Sequence, residues 1–267
     1  MKGRCRNQIY KQKRTSNMTR AKRDIKNEVE EGLQDHEYRK ASRKKNSLSK
    51  EEFSKCPVEL APKQHDLYKG IRNNILTVVH GPAGTSKTFT TCYTALALLA
   101  DKKIEKIIIT KPIQESGENL GFLPGDLKEK LHPYRQSYYN SFCKIIGRQT
   151  TDFLFSTEEI VFEPLAYMRG STYDNAIMLL DECQNASIKQ LMLWVTRLGK
   201  DSKAVMMGDT SQYDVRKRDS GYNDFIKMVE GMGDLNLFEF KNEDIVRNKF
   251  LIEIANRYDK YRSEHER

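Results

Sequence analysis

The chain has 267 residues, with 46 Lys and Arg against 37 Asp and Glu and a formal net charge of +9 at pH 7. That length accommodates one sizeable core or two small ones, and no run of about 18 apolar residues is there to cross a membrane. The opening stretch MKGRCRNQIYKQKR is charged, with no apolar segment after it, so neither a secretory signal nor a membrane anchor is expected and the protein reads as cytoplasmic.

The charge is unevenly placed. Residues 1–50 hold 16 Lys and Arg against 6 Asp and Glu, while the rest of the chain is near balance. The same fifty residues have few large apolar side chains and no sustained period, so they bury too little surface to offset chain entropy. They read as a basic arm, mobile or partly helical over 22–39, suited to nucleic acid or simply to solubility. Residues 51–267 read as one domain. Five scattered cysteines with no C-x-x-C pair fit reduced thiols better than disulfides or a zinc site.

From residue 51 onward short apolar runs alternate with helical patterns. Strands are predicted at 75–79, 104–110, 161–167, 177–180, 204–207 and 235–240, most of them continuous apolar runs of the kind buried on both faces. Helices are predicted at 87–99, 128–146, 188–198, 222–229 and 249–261, with a further one in HDLYKGIRN at 65–73. Strands alternating with helices define an α/β, doubly wound parallel sheet flanked by helices, whose ligands bind beyond the carboxyl ends of the strands.

The first strand runs into GPAGTSKT, residues 81–88. This is the P-loop pattern G-x-x-x-x-G-K-[ST] with Ser86 where a glycine is expected, and it opens a helix. Backbone N–H groups of Gly81, Pro82, Ala83, Gly84, Thr85 and Ser86 (Pro82 excepted, which has none) would cradle a phosphate chain. Lys87 would reach the β- and γ-phosphates, and Thr88 would ligate Mg²⁺. A side chain at Ser86 is harmless if only room is needed, and costs about 1–2 kcal/mol if the backbone must be left-handed.

Two further strand ends complete a constellation. IMLLDECQ delivers Asp181 and Glu182, the first placed to hold Mg²⁺ and the second to orient and deprotonate an attacking water. AVMMGD continues into TSQ, where the neutral amide of Gln212 can sense a γ-phosphate or position water. Cys183 reads as a small buried residue, His80 as a packed histidine, and Trp194 with Leu191, Leu193 and Leu198 as the core side of a helix.

GPAGTSKT, TKP at 110–112, GENLGFLPGD at 117–126, PLAYMRG at 164–170, DECQN at 181–185 and GDTSQYD at 208–214 together resemble the PhoH-like family of phosphate-starvation-inducible ATPases, over about residues 57–261. The resemblance implies a single RecA-like P-loop NTPase core, similar to the first half of superfamily 1 helicases, with ATP and Mg as cofactors. It also implies RNA or single-stranded DNA as partner, and a bacterial or phage source. It assigns Gln64 to the adenine edge and Arg247 to the γ-phosphate. Arg247 can come from the same chain or from a neighbour; because one core leaves no second domain to carry an arginine across the nucleotide, a neighbour in a homo-oligomer, such as a ring, is favoured. Departures from the family pattern are Ser86 for Gly, Lys111 for Arg, Ser171 for Arg and Cys183 for Ala. The competing readings are a nucleotide or small-molecule kinase on the same loop, and a non-catalytic nucleic-acid-binding protein in which ATP is a structural switch.

Overall fold

The computed structural model describes residues 48–112, 127–209 and 220–265. Its centre is a six-stranded sheet of β1 (Leu76–His80), β2 (Lys106–Thr110), β3 (Ile160–Phe162), β4 (Ala176–Leu180), β5 (Lys203–Gly208) and β6 (Leu235–Glu239). The spatial order is β3-β2-β4-β5-β1-β6 and every pairing is parallel. β5 therefore lies between β1, which leads into the P-loop, and β4, which leads into the paired acids.

The continuous apolar runs have a direct cause. Along β4, Ile177 and Leu179 enter one core, while Ala176, Met178 and Leu180 enter a second core on the opposite face. Both faces are covered, so no position on the strand is left for a polar side chain.

One face carries α1 (Lys50–Ser54), α2 (Pro62–Asn73), α3 (Lys87–Ala100), α4 (Leu127–Ile146) and α5 (Arg148–Ser156). α3 is apolar nearly all round because it is packed on several sides, with ten of its residues buried. The other face carries α6 (Ile188–Val195) and α7 (Tyr222–Val229), which bury Leu191, Trp194, Tyr222 and Phe225. α8 (Phe250–His265) follows and buries no residue fully.

Several boundaries differ from the sequence reading. The strand expected at 161–167 ends at Phe162, and Leu165–Tyr167 forms a 3₁₀ turn. Pro164 supplies the reason, since it cannot donate to the strand ladder. Gln64 lies inside α2 rather than ahead of it, because Pro62 starts the helix at its first position. α5 is an addition: its RQTTD start masks the buried pair Thr151 and Leu154. Leu48 is buried in the first core and Ser49 caps α1, so folded structure reaches back to residue 48. Among the described residues no helix is long and apolar enough to cross a membrane, and Cys56, Cys92, Cys143 and Cys183 are free thiols.

Candidate nucleotide site

Strand register brings the chemistry together. His80 pairs with Gly208 across β1 and β5, and Leu180 pairs with Met206 across β4 and β5. Gly81, Asp181 and Asp209 therefore leave the sheet along one carboxyl edge.

The P-loop bends through left-handed backbone. Gly81 and Gly84 have φ of 145° and 93°, and Ser86 has φ 64° and ψ 31°. The serine thus occupies a conformation that favours glycine, and it gives no side-chain cap to α3. At Gly84 an added Cβ would also sit tightly, 3.2 Å from Ile245 Cγ2. Thr85 is buried and donates to the Pro82 carbonyl at 2.9 Å.

Lys87 turns back over the loop, its ammonium donating to the Gly81 carbonyl at 2.6 Å and the Pro82 carbonyl at 3.0 Å. Burial pushes this ammonium below the usual lysine range, and the charge of Arg247 acts in the same direction, against the pull of Asp209, Asp181 and Glu182. Thr88 Oγ1 donates to Asp181 Oδ2 at 3.4 Å. Burial, and then the neighbouring charge of Glu182, pushes the Asp181 carboxyl up; Lys111 and the Tyr138 hydroxyl oppose this. A hydroxyl beside an under-compensated buried carboxylate fits a divalent cation that keeps water and phosphate oxygens in its remaining positions, as Mg²⁺ does.

Glu182 is the second non-glycine residue of the site with left-handed backbone, at φ 55° and ψ 40°. Its carboxylate lies 3.6 Å from Lys111 Nζ and accepts from Gln184 Nε2 at 2.8 Å. Gln184 is itself buried, and its Oε1 accepts the Asp209 N–H at 3.0 Å. Gly208 makes room for that bridge, since a Cβ there would lie 2.8 Å from the Tyr222 ring and 3.2 Å from Gln184 Oε1. Cys183 is fully buried and donates to the Leu180 carbonyl at 3.2 Å, and burial holds its thiol well above the usual range.

Arg247 stands on the P-loop of its own chain. The backbone N–H groups of Val246 and Arg247 both donate to the Gly84 carbonyl, at 3.1 and 3.3 Å. The segment after β6 thus folds back across the loop and sets the Arg247 backbone beside the P-loop of its own chain. Gln64 is buried, and its Oε1 accepts the Ala61 N–H at 3.1 Å, closing the first turn of α2. Gln212 and the motif at 117–126 lie outside the described residues. Arg197 donates to the Leu193 and Ser171 carbonyls, which ties it to structure. His80 pairs with Glu239 at 3.4 Å.

Asp209, Lys111 and Gln184 are site residues that the sequence reading quoted within motifs but gave no task. Only register and side-chain packing single them out.

A parallel sheet whose first strand enters a P-loop, with a second strand delivering a carboxylate to the P-loop threonine, defines a P-loop NTPase. The chain belongs to the PhoH-like family: the model described as PhoH-like protein matches residues 58–259. A PhoH-like protein of Bacillus subtilis is 38% identical over 238 residues, covering 88% of this chain and 72% of that one. Protein PhoH of Escherichia coli K12 is 34% identical over 183 residues, covering 67% of this chain and 52% of that one. A Mycobacterium tuberculosis PhoH-like protein is 38% identical over 182 residues, again with 52% of its length covered. The chain thus spans about half the length of several relatives it matches. The crystal structure of the Pyrococcus furiosus Hef helicase domain shares 12% identity with a TM-score of 0.41, over 66% of this chain and 37% of that one. Overlap that loose says nothing about what this chain acts on.

Proposed function

We propose that the chain is a Mg-dependent ATPase whose turnover is coupled to single-stranded nucleic acid, RNA in the first instance. The observation that carries this reading is the convergence of Lys87, Thr88, Asp181 and Glu182 at one sheet edge, with the Lys87 ammonium donating to two loop carbonyls. Phosphate oxygens are stronger acceptors than those carbonyls, so an incoming nucleotide would draw Lys87 off Gly81 and Pro82. Asp181 and Thr88 would hold Mg²⁺, which supplies charge neutralisation on the phosphates. Glu182, positioned by Lys111 and Gln184, would orient water, and Gln212 would sense the γ-phosphate. Arg247 would add positive charge from its own chain, so a homo-oligomer is not needed to deliver it. Gln64 would read adenine through its amide nitrogen, its oxygen being taken by the cap.

The test is ATP turnover without nucleic acid, with single-stranded RNA and with single-stranded DNA. Lys87→Ala should lose nucleotide binding, whereas Glu182→Gln should bind ATP and turn it over at least about a hundredfold more slowly, within the range for general-base loss. Normal hydrolysis by Glu182→Gln would remove that residue from the chemistry.

A further inference from the structure

PLAYMRG, residues 164–170, supplies none of the nucleotide-site residues named above, yet its turn is anchored from within. Leu165 and Met168 are buried, and the Thr110 hydroxyl at the end of β2 donates to Met168 Sδ at 3.4 Å. With those two side chains anchored inward, Tyr167 and Arg169 are turned outward, and Tyr167 is 57% exposed.

Beside this turn lies a cavity of about 420 Å³ lined by Pro112, Pro164, Leu165 and Leu193, with Arg169 and Lys189 at its margin. A volume of that order suits a small organic ligand. Neither Arg169 nor Lys189 forms an ion pair with a described residue, and both are exposed. Pro112 follows β2 and Pro164 follows β3, so the cavity opens on the carboxyl edge that also carries the P-loop. β2 and β1 stand three strands apart, roughly 14 Å at an interstrand spacing of about 4.8 Å, so this is a separate place from the nucleotide site.

We propose that this cavity is a subsite for single-stranded nucleic acid, in which one base packs against the apolar lining, a neighbouring base stacks on Tyr167 exposed on the same turn, and Arg169 and Lys189 hold the flanking phosphates. The inference rests on the nucleic-acid-coupled reading above and adds where the strand lies. Two unpaired cations flanking an apolar hollow and an exposed aromatic match the alternation of phosphate and base along a strand. An acidic peptide would satisfy the cations and leave the ring and the hollow wet. The subsite is wired to the chemistry through adjacent residues: Pro112 lines the cavity, and Lys111 before it lies 3.6 Å from Glu182. A base seated on Pro112 therefore bears on the residue that positions the proposed water-activating carboxylate.

The experiment uses the full chain and fluorescein-labelled oligo-U and oligo-dT, with anisotropy followed across a salt series. Arg169→Glu combined with Lys189→Glu should weaken binding at least tenfold and reduce the slope of log K against log salt by about 1.4, two phosphates at about 0.7 each. Tyr167→Ala should weaken binding at least about fivefold, and Tyr167→Phe should restore it. Lys200→Glu, a charge reversal at the opposite sheet edge, should change little. The double variant should also lose stimulation of ATP turnover by oligo-U. If the wild type binds a strand and the folded double variant binds it with the same affinity and slope, the subsite is wrong and the nucleic-acid reading stands. If the wild type binds neither strand at low salt, both fail. Competition by polyglutamate equal to that by unlabelled oligo-U would show a plain anion patch and overturn base recognition. Should the reversal unfold the protein, Arg169→Gln with Lys189→Gln serves the same test.

Discussion

Ser86 holds left-handed backbone at a position where the P-loop pattern has glycine. A side chain there costs about 1–2 kcal/mol, and glycine gives back about 0.4–1 kcal/mol through the greater freedom of its unfolded chain. Ser86→Gly should therefore stabilise the nucleotide-free protein by roughly 0.5–1 kcal/mol, a rise of about 1–4 °C in Tm. ATP affinity should be kept or improved, because the hydroxyl makes no capping bond to α3. A fall in Tm would mean that the serine side chain is held by an interaction worth more than the strain. Glu182 shares the strained conformation, and here the strain has a use: the left-handed turn directly after β4 brings the carboxylate to Lys111 and Gln184.

At the scale of elements, the 3₁₀ turn Cys183–Asn185 is the link between two strand ends. Gln184 reaches from Glu182 on β4's side to the Asp209 N–H on β5's side, so a change at either end is felt at the other. Gln184→Leu leaves a buried N–H without its acceptor, which costs about 1–3 kcal/mol. Turnover should fall by tenfold or more while ATP affinity changes much less, since no phosphate ligand is removed; equal losses in kcat and in ATP binding would show a role in binding instead. The segment before α8 makes the second link. The backbone N–H groups of Val246 and Arg247 hold it against Gly84 of its own chain. Arg247→Ala should bind ATP nearly normally and hydrolyse it slowly, by a factor of up to about 10³–10⁵ where an arginine completes the charge on a transferring phosphoryl group. Mixing Arg247→Ala with Lys87→Ala should restore no activity, because each intact arginine serves a dead loop. Recovery in mixed oligomers would return the arginine to a neighbour.

At the scale of the whole molecule, the basic excess lies in the first fifty residues, while the proposed chemistry lies beyond them. Removing residues 1–47 should flatten the salt dependence of nucleic-acid binding by about 0.7 for each single-strand phosphate that the arm no longer neutralises, and leave basal ATP turnover in place. The cut matters at the level of single residues. A truncation starting at 51 would strip Leu48 from the core and Ser49 from the cap of α1, and part of any loss would then be a stability effect. An unchanged salt slope in the 48–267 protein would leave the arm as a solubility tail.

The α/β alternation, five of the six strands to within two residues at each end, and the P-loop with its distant acids were legible from local signals. Apolar runs reveal strands buried on both faces, and a glycine-rich turn between strand and helix has few other uses. Pro164 marked the false strand end at 161–167, but the apolar residues around it masked the stop. What no local pattern contains is which strand lies beside which. The insertion of β5 between β1 and β4 brings Asp209 to Lys87 and lets Gln184 bridge two loops, and it follows only from side-chain packing on both faces of the sheet. The same holds for Arg247 and for the cavity beside PLAYMRG. Sequence set the residue types and their order, because periodicity and turn chemistry act over a few residues; the tertiary structure alone decided neighbours, because residues far apart in the chain meet only once the layers have packed.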